Sequence, residues 1–341
     1  MISVTLSEMK ILIIRFSSIG DIVLTSPIIR CIKQQVKDVE VHYITKKQFA
    51  LILENNPYID KLYTIEKNIS EVAKELKKEN YDFVVDLHHN LRSAQVKSIL
   101  GKKSKSFSKL NIEKWMMVNL KINKLPNIHI VDRYFETVKS LGVKNDENGL
   151  DYFIPKKDEV DLSTLPTEFQ NGYVVFVIGA KFATKQLPDE KIVSIIQKIN
   201  QPVILLGGKE DFEKGEAIKS QVTSHGIFNA CGKYNLNQSA SLVKQAKKII
   251  THDTGLMHIA AAFKKEIISV WGNTIPEFGM YPYYGNTEIR NLKSEIRNLN
   301  CRPCSKLGFA ECPKKHFKCM HEINEEEIVD WVLSNSETSS E

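Results

Sequence analysis

The stretch Ile11-Leu-Ile-Ile-Arg-Phe-Ser-Ser-Ile-Gly-Asp21 runs from an apolar strand into a polar turn and the start of a helix. A second stretch of this kind lies far along the chain, Ile249-Ile-Thr-His-Asp-Thr-Gly-Leu-Met-His258, and an alanine-rich helix follows it. Each stretch places acidic and hydroxyl side chains where a helix begins. The second stretch also leaves backbone N–H groups available to an anion. Two such turns in one chain predict two α/β domains that face a shared cleft.

The composition limits the classes of protein to which the chain can belong. Its 341 residues are typical of two domains, and its 42% hydrophobic content is sufficient for two cores. The apolar runs are shorter than the roughly 20 residues that a membrane-spanning helix needs. The first eight residues lack the basic and apolar regions of a signal peptide, which predicts a cytoplasmic protein.

The net charge of +6 is modest and spread along the chain. It fits anionic small substrates, weak contact with an anionic membrane surface, or simply a solvated basic surface. The sequence has no zinc-finger or RNP motif and no aromatic and basic repeat. We therefore expect no nucleic-acid partner.

Apolar strands and amphipathic helices alternate along both halves of the chain, which is typical of parallel sheets wound on both faces. The first half predicts strands at 10–16, 39–45, 61–65 and 81–87 and helices at 22–35, 48–54 and 70–79. The second half predicts strands at 173–178, 203–206, 226–229, 248–251 and 267–271 and helices at 189–199, 213–224, 239–245 and 256–263.

This pattern predicts two Rossmann-like domains, over residues 1–155 and 173–322. The polar segment 156–172 has a proline near each end and is predicted to be a linker. Residues 295–322 are irregular and include a cysteine-rich part at 301–319. We expect an amphipathic helix at 323–333 and a disordered polar tail at 334–341.

The second turn begins a helix at Asp253-Thr-Gly255. Asp-Thr-Gly also occurs in aspartic proteases of the retroviral type, but those chains are all-β, and the alanine-rich helix here excludes that interpretation. One remaining interpretation is an ordinary cap, with Asp253 at the N-cap. The other is a phosphate site formed by the N–H groups of Thr254, Gly255 and Leu256. His258 either adds a hydrogen bond there or packs against the adjacent strand.

The first turn contains Ser17, Ser18 and Gly20 and ends at Asp21. One glycine is too few for a dinucleotide fingerprint, which needs three. Because Asp21 follows the first strand of an open α/β sheet, where ligands bind, it is either a helix cap or a general base. Arg92 follows another strand of the same domain. It is a candidate to hold an anionic acceptor beside this turn.

Two loops of the second domain carry candidate donor-binding residues. Lys181 and Lys185 follow its first strand and can pair with phosphate oxygens, although lysines on surface loops are often inert. One of the acids Glu210, Asp211 and Glu213, after a pair of glycines, is a candidate to bind ribose hydroxyls. The chain contains no Asp-x-Asp motif, the usual mark of a metal-bridged donor site, so we expect no metal requirement for catalysis.

The cysteine-rich part contains four of the six cysteines: Cys301, Cys304, Cys312 and Cys319. In a cytosolic chain, a cluster opened by Cys-x-x-Cys indicates structural zinc more readily than disulfides. His316 or His321 can replace one of the cysteines as a ligand. The alternative is a packed loop with free thiols.

Four segments together resemble a known family. They are the stretch from Ile11 to Pro27, Asp86-Leu-His-His-Asn-Leu-Arg-Ser93, Asp253-Thr-Gly-Leu-Met-His-Ile-Ala-Ala-Ala262, and the run from Cys301-Arg-Pro-Cys304 to Cys319-Met320. With these segments in this order the chain resembles glycosyltransferase family 9, the ADP-heptose:lipopolysaccharide heptosyltransferases of Gram-negative bacteria. The resemblance implies the GT-B architecture, two Rossmann-like domains whose parallel sheets face a central cleft.

The resemblance also implies roles for single residues. Asp21 matches the catalytic aspartate, Lys185 matches the donor-phosphate lysine, and the residues from Asp253 to His258 match the donor-binding loop. Some members carry hydroxyl residues where this chain has Ala180 and Lys181. The implied reaction is an inverting transfer of heptose from ADP-heptose to the lipopolysaccharide inner core, by a monomer in peripheral contact with the inner face of the inner membrane. The alternatives are a GT-B transferase for another sugar nucleotide and a non-catalytic nucleotide-sugar-binding protein.

Overall fold

The structure, a computed structural model, describes residues 9–223 and 226–334. The predictions for the first eight residues and for the tail after Ser334 lie outside the described residues. The described chain divides into two compact units. The first unit contains residues 9–109 and 128–153, and the second contains residues 110–127 and 154–334.

The described part of the first unit contains one parallel sheet of five strands, in the order β3-β2-β1-β4-β5. The strands are β1 (Met9–Ile14), β2 (Val39–Lys46), β3 (Lys61–Ile65), β4 (Phe83–Asp86) and β5 (Lys103–Ser106). Its helices are α1 (Ile19–Val23), α2 (Ser26–Gln35), α3 (Ala73–Lys78), α4 (Leu91–Leu100) and α6 (Ile130–Phe135). Helix α5 belongs to the second unit. Ile11 pairs with Val41 on one side and Phe83 on the other, so the apolar run of β1 lies fully buried inside the sheet.

The described part of the second unit contains a parallel sheet of six strands, in the order β11-β10-β9-β6-β7-β8. The strands are β6 (Val174–Val177), β7 (Val203–Leu206), β8 (Ile227–Asn229), β9 (Lys248–His252), β10 (Glu266–Trp271) and β11 (Asn291–Glu295). Its helices are α5 (Asn111–Asn119), α7 (Thr167–Gln170), α8 (Asp189–Ile199), α9 (Phe212–Gln221), α10 (Leu236–Gln245), α11 (Gly255–Ala262), α12 (Lys318–His321) and α13 (Glu325–Leu333). The predicted α/β fold with two parallel sheets is confirmed.

The strand order of each sheet reverses at one place. In the first unit this switch point lies between β1 and β4, and in the second it lies between β6 and β9. Loops on the two sides of a switch point leave the sheet in opposite directions and open a crevice at the carboxyl ends of the strands, where ligands bind in open α/β sheets. The loops after these four strands are therefore where a site is expected.

One predicted helix, at 22–35, is wrong as a single element. The chain forms α1 and α2 instead, and they are separated at Leu24 and Thr25. Pro27 lies in the first turn of α2, where it has no N–H to continue a hydrogen-bond ladder from α1. The break leaves α1 as a short, separate helix whose first turn contains Asp21.

Segment 156–172, predicted as a linker, is packed against the second unit. The buried Asp158 accepts hydrogen bonds from the side-chain amides of Asn235, at 3.0 Å, and Asn237, at 3.3 Å. Val160 N donates to Ser241 Oγ at 2.9 Å. The N-cap residue of α10 and side chains within this helix thus hold residues 158–160 of the segment. Among the described residues, no helix is both long enough and apolar enough to span a membrane.

Candidate active site

Asp21 lies in the first turn of α1, after the carboxyl end of β1. Its Oδ2 accepts hydrogen bonds from Ser18 N at 3.1 Å and from Ser18 Oγ at 2.8 Å. Its Oδ1 lies 2.6 Å from Nη2 of Arg15, and 20% of its side chain is exposed. Ser18 is thus the N-cap residue of α1, and Asp21, at the third position of the helix, completes a capping box with it and is also the partner of a buried cation.

The guanidinium of Arg15 is buried and is held from several directions. It donates from Nε to Ser17 O at 2.7 Å and from Nη1 to Leu87 O and to the hydroxyl of Tyr134, the latter at 3.1 Å. Since these bonds leave the guanidinium little freedom, Arg15 fixes the orientation of the Asp21 carboxylate. The sequence analysis missed Arg15. The signal for it was a cation that ends the otherwise apolar strand β1.

The surroundings of Asp21 set its charge state. Burial disfavours the ionised carboxylate, but the attraction of Arg15 and the hydrogen bonds from Ser18 outweigh it, and the pKa of Asp21 lies below its usual range. The carboxylate is therefore ionised at neutral pH. It is chemically able to accept a proton from a hydroxyl group placed against its exposed edge.

The loop after β4 lies across the switch point from Asp21. Asp86 is fully buried and accepts hydrogen bonds from His88 N at 3.0 Å, His89 N at 2.7 Å and Ser93 Oγ at 2.9 Å, so it shapes the loop. The guanidinium carbon of Arg92 lies 5.6 Å from the centre of the Phe16 ring. The structure thus brings Arg92 beside the residue that precedes the turn at Ser17, Ser18 and Gly20.

His88 is a second residue that the sequence analysis left without a role. Its ring packs edge-on against Phe16, with ring centres 5.3 Å apart. Burial, followed by the positive charge of Arg15, lowers the pKa of His88 to about 4. The imidazole is therefore neutral at neutral pH, and it adds no positive charge beside Asp21.

In the second unit, the two sides of the switch point meet through an ion pair. Lys185, in the loop after β6, donates from Nζ to Oδ2 of Asp253, which follows β9. Thr274, in the loop after β10, donates to the same oxygen at 3.1 Å. The side chains of Lys185 and Asp253 are 16% and 14% exposed. Three loops therefore converge on one polar cluster, in which Lys185 is a cation of the kind that pairs with carboxylate or phosphate oxygens.

Helix α11 begins at Gly255, one residue later than a cap at Asp253 requires. Thr254 is the N-cap residue, and its hydroxyl lies 3.2 Å from that of Thr251. No acidic residue lies in the first turn. The carboxylate of Asp253 faces Lys185 instead of the helix. The first N–H groups of α11 therefore have no carboxylate side chain bound to them. The positive end of the helix is thus suited to a phosphate.

His252, which the sequence analysis overlooked, holds the Lys185 loop against β9. Its Nε2 accepts a hydrogen bond from Leu187 N at 2.9 Å, and its ring is fully buried. Burial lowers the pKa of His252 to about 3, so the ring stays neutral and keeps Nε2 as an acceptor. His258 is also buried, within α11. Neither histidine presents an exposed ring to solvent.

The three candidate ribose acids lie in different environments. Asp211 is buried and accepts a hydrogen bond from Gly208 N at 2.8 Å, where its carboxyl group packs against Gly179 and Gly207. Glu210 and Glu213 are exposed. Because burial raises the pKa of Asp211 and its carboxyl shapes the glycine turn, the exposed acids are better placed to meet a ribose. Lys181 is exposed as well, with Nζ 5.5 Å from the Phe182 ring centre.

The cysteine-rich part packs against the loop that carries Lys185. Thr184 Oγ1 donates to Phe309 O at 3.1 Å and accepts from Phe309 N at 2.8 Å. Gly308 lies so close to Phe182 that an added Cβ would meet that side chain at 2.6 Å. A cavity of about 420 Å³ remains between these segments. It is lined by Ala183, Thr184, Ala310, Glu311, Cys312, Lys315 and Phe317.

The cysteines themselves are close but not assembled as metal ligands. Sγ of Cys301 lies 3.7 Å from Nε2 of His316, and Sγ of Cys304 donates to Cys301 O. Burial, then the neighbouring thiols, raises the pKa of Cys304 to about 11 and that of Cys319 to about 12. Within residues 9–223 and 226–334, the one cluster with metal-ligand spacing is Glu40, His42 and Glu79, and Lys10 already pairs with both of its glutamates.

Comparison with known proteins gives consistent matches over most of the chain. The family model described as glycosyltransferase family 9 (heptosyltransferase) matches residues 69–308. Lipopolysaccharide heptosyltransferase 1 of Campylobacter coli is 27% identical over 356 aligned residues, which cover 95% of this chain and 98% of that protein.

Solved structures show the same fold at lower sequence identity. The structure of the Escherichia coli ADP-heptose lipopolysaccharide heptosyltransferase II has a TM-score of 0.72 and 18% identity, over 94% of this chain and 97% of that one. The E. coli heptosyltransferase WaaC, solved with ADP-2-deoxy-2-fluoro heptose, has a TM-score of 0.63 and 22% identity, over 88% and 96%. These similarities confirm the predicted fold class, α/β of the GT-B type.

Proposed function

This chain belongs to glycosyltransferase family 9 and is a glycosyltransferase, and from this we propose that it transfers heptose from ADP-heptose to the inner core of lipopolysaccharide. The observation that carries the proposal is the similarity, over 95% of the chain, to a lipopolysaccharide heptosyltransferase. One structural relative is described as an ADP-heptose heptosyltransferase, and another was solved with a fluorinated analogue of ADP-heptose. Both support the choice of donor.

We propose that the diphosphate of the donor binds at the polar cluster of the second unit. Lys185 would exchange its carboxylate partner for phosphate oxygens, while Thr274 continues to hold Asp253. The N–H groups at Thr254, Gly255 and Leu256 would bind the same diphosphate, and His258 would support the helix from within. As the glycosidic bond breaks, negative charge grows on the leaving diphosphate, and these groups stabilise it. Glu210 or Glu213 would bind the ribose.

We propose that Asp21 is the general base. Its carboxylate would accept the proton of the acceptor hydroxyl as that oxygen attacks the anomeric carbon and the ADP leaves. One displacement of this kind inverts the anomeric centre. Arg15 would hold Asp21 ionised and oriented, while Arg92 and the turn at 17–20 would bind the acceptor, whose core sugars carry anionic groups. None of these steps uses a metal ion.

The test is a transfer assay with a panel of donors. Purified protein is given ADP-heptose, ADP-glucose or UDP-glucose with a heptose-deficient lipopolysaccharide core, and the product is identified by mass and by the anomeric proton coupling. The proposal predicts transfer from ADP-heptose, with inversion, that persists in EDTA. Transfer from a UDP-sugar instead would establish the alternative, a transferase for another sugar nucleotide. Donor binding without transfer would favour the other alternative, a non-catalytic nucleotide-sugar-binding protein.

We also propose that the cysteine-rich part can hold a structural zinc ion through Cys301, Cys304, Cys312 and Cys319, with His316 as the replacement ligand nearest to Cys301. The neighbouring thiols help to raise the pKa of Cys304 and of Cys319, and a bound cation would instead stabilise these two groups as thiolates. Metal analysis of the purified protein, with one equivalent expected, tests this. A clearly substoichiometric content that leaves the thermal midpoint unchanged after chelation would exclude a structural metal.

The cellular location is proposed from the acceptor. A lipopolysaccharide core is membrane-bound while it is assembled, and the protein would work as a cytoplasmic monomer in peripheral contact with the inner face of the inner membrane. Fractionation of cell membranes by flotation, with and without a salt wash, tests this proposal. Recovery only in the soluble fraction at low salt would contradict it.

A further inference from the structure

Helix α5 and the residues after it present an unusual surface. None of the nine residues of α5 is buried, although Ile112, Trp115, Met116, Met117 and Val118 are apolar. Four of the ten exposed large hydrophobic side chains among the described residues lie within 112–122. They are Ile112 at 72%, Trp115 at 56%, Leu120 at 51% and Ile122 at 43% exposure. Such a concentration differs from the single exposed apolar residues that are normal on a protein surface.

The opposite side of this segment is attached to the second unit. The ammonium of Lys114 lies 5.7 Å from the centre of the Phe278 ring. Lys121 donates to Cys301 O at 3.1 Å and to Pro303 O at 2.7 Å. Ile112 and Trp115 are three residues apart and share a helix face, which points away from Lys114. The segment is thus held in place on one side and leaves its apolar side to solvent.

The charge of the surrounding sequence is strongly positive. Seven lysines lie between residues 102 and 124, at 102, 103, 105, 109, 114, 121 and 124, against one acid, Glu113. Their excess of six equals the excess of Lys and Arg over Asp and Glu in the whole chain, 47 against 41. The remaining sequence is therefore balanced, so the net charge is not spread along the chain, as the composition suggested, but lies in the part of the sequence that contains the apolar segment.

We propose that residues 111–122 form the surface by which this protein binds a bilayer rich in anionic lipids. Tryptophan with aliphatic side chains, bordered by lysines on a short helix, is the composition of segments that lie in the interface of a membrane. Lys114 and Lys121 are engaged by the second unit, so Lys124 and the other flanking lysines would attract anionic headgroups, while the apolar side chains would enter the acyl boundary. This proposal names the surface for the membrane contact in the proposed function and rests on that function only for the identity of the membrane.

Tryptophan fluorescence gives a direct test, because the chain has three tryptophans and the other two are inside. Trp271 and Trp331 are 1% and 6% exposed, so Trp115 reports on this surface. Vesicles of phosphatidylcholine with phosphatidylglycerol should shift the emission to the blue, and brominated acyl chains should quench it. Added salt should weaken the binding. Vesicles of phosphatidylcholine alone should bind much less.

A double variant, Ile112→Ser with Leu120→Ser, keeps Trp115 as the reporter. It should lower the apparent affinity for anionic vesicles on the order of tenfold or more, because two apolar side chains no longer enter the bilayer. The matched control is Leu333→Ser at the end of α13, where a leucine is 48% exposed, and it should bind as the unchanged protein does. Lys124→Glu should weaken binding, while Lys77→Glu, an exposed lysine in α3, should not.

Several outcomes would overturn the proposal. One is co-sedimentation with vesicles while Trp115 is neither shifted nor quenched, since another surface would then bind. Another is equal binding by the double variant and the Leu333→Ser control. A third is a dimer in sedimentation velocity that the double variant converts to a monomer without any vesicle binding, which would make this a self-association surface. These binding measurements contain no sugar donor and no acceptor. Their outcome therefore does not depend on whether the protein transfers heptose, which can be measured separately with a delipidated acceptor.

Discussion

Nη2 of Arg15 lies 2.6 Å from Oδ1 of Asp21, and this pair joins the end of β1 to the helix that follows it. The pair places a fixed positive charge beside the carboxylate that the proposed mechanism uses as a base. A carboxylate held in this way stays ionised in mildly acidic solution, and its remaining exposed edge has one orientation. In the proposed mechanism Arg15 would therefore act on the reaction through Asp21, as a positioning residue.

Replacement of Asp21 by Asn should abolish most turnover and leave donor binding intact. The side-chain oxygen of Asn can still accept the hydrogen bonds from Ser18 in the first turn of α1, but an amide cannot accept a proton as a base. We expect kcat to fall by roughly 10²- to 10⁴-fold, with the ADP affinity in calorimetry unchanged. Near-normal turnover would show that another group is the base. A lower thermal midpoint with proportionate loss of activity would indicate a structural role only.

Replacement of Arg15 by Met should move the acidic limb of the pH profile. Loss of the guanidinium removes the charge that keeps the pKa of Asp21 low, so the carboxylate takes up a proton at a higher pH. The acidic limb of kcat/KM should therefore shift to higher pH, while Arg15→Lys should shift it less. Tyr134→Phe, which removes a 3.1 Å hydrogen bond but no charge, is the control. A profile that moves equally in the control would contradict the electrostatic role of Arg15.

Replacement of Lys185 by Ala should weaken donor binding. A charged hydrogen bond to phosphate contributes about 1.5–3 kcal/mol, so the dissociation constant for ADP should rise on the order of tenfold or more. Lys219→Ala is the matched control, because Lys219 is an exposed lysine in the last turn of α9 and is not a candidate site residue. Its effect should be within about twofold, with the two variants compared by calorimetry at one ionic strength. Equal losses in both would mean that general positive charge, and not Lys185, binds the diphosphate.

The parts of the structure that depend on local sequence could be predicted. Helix Asp189–Ile199 and strands Lys61–Ile65 and Val203–Leu206 have the predicted bounds, because periodicity and capping are properties of neighbouring residues. Strand β5 has the polar sequence Lys-Ser-Lys-Ser, which carries no strand signal. Its pairing with β4 alone makes it a strand.

The sequence indicated the individual candidate residues of the site, but it did not indicate which of them contact each other. Asp21, Lys185 and Asp253 all follow strands, which the sequence shows. The contact between Lys185 and Asp253 joins residues 68 positions apart, and Arg15 reaches Leu87 and Tyr134 across 72 and 119 positions. Strand order brings these residues together, and a single sequence gives no register between distant strands.

Replacement of Thr184 by Val should loosen the Lys185 loop. The side chain keeps its shape but loses both hydrogen bonds to Phe309, which leaves two backbone groups with one partner fewer. We expect a loss of about 1–3 kcal/mol in the free energy of unfolding. The KM for the donor should rise, and it should rise more than the KM for the acceptor does. Thr164→Val, at an exposed threonine that bonds to Asp161 O, is the control and should alter neither quantity. A change in kcat alone would argue against a loop-positioning role.

His252, which is buried, and His88, which is partly buried, should make the protein less stable as the pH falls below about 6.5. The pKa of His252 is about 3 and that of His88 about 4 in the folded protein, both below the usual value of 6.5. From pH 6.5 downward the unfolded chain therefore binds a proton at each position that the folded protein does not. Between pH 7 and pH 5 each histidine should cost about 2 kcal/mol of stability, and the loss continues until the folded protein itself titrates.

Urea denaturation at pH 7 and pH 5 measures this effect through one variant. His252→Gln keeps an oxygen that can accept the hydrogen bond from Leu187 N, at 2.9 Å in the unchanged protein, but cannot bind a proton. The difference in unfolding free energy between the two pH values should therefore shrink by about 2 kcal/mol. His88→Gln should shrink it by a similar amount, and the double variant by the sum, since the two sites lie in different units. An unchanged difference in the double variant would show that both rings can be protonated without loss of the fold.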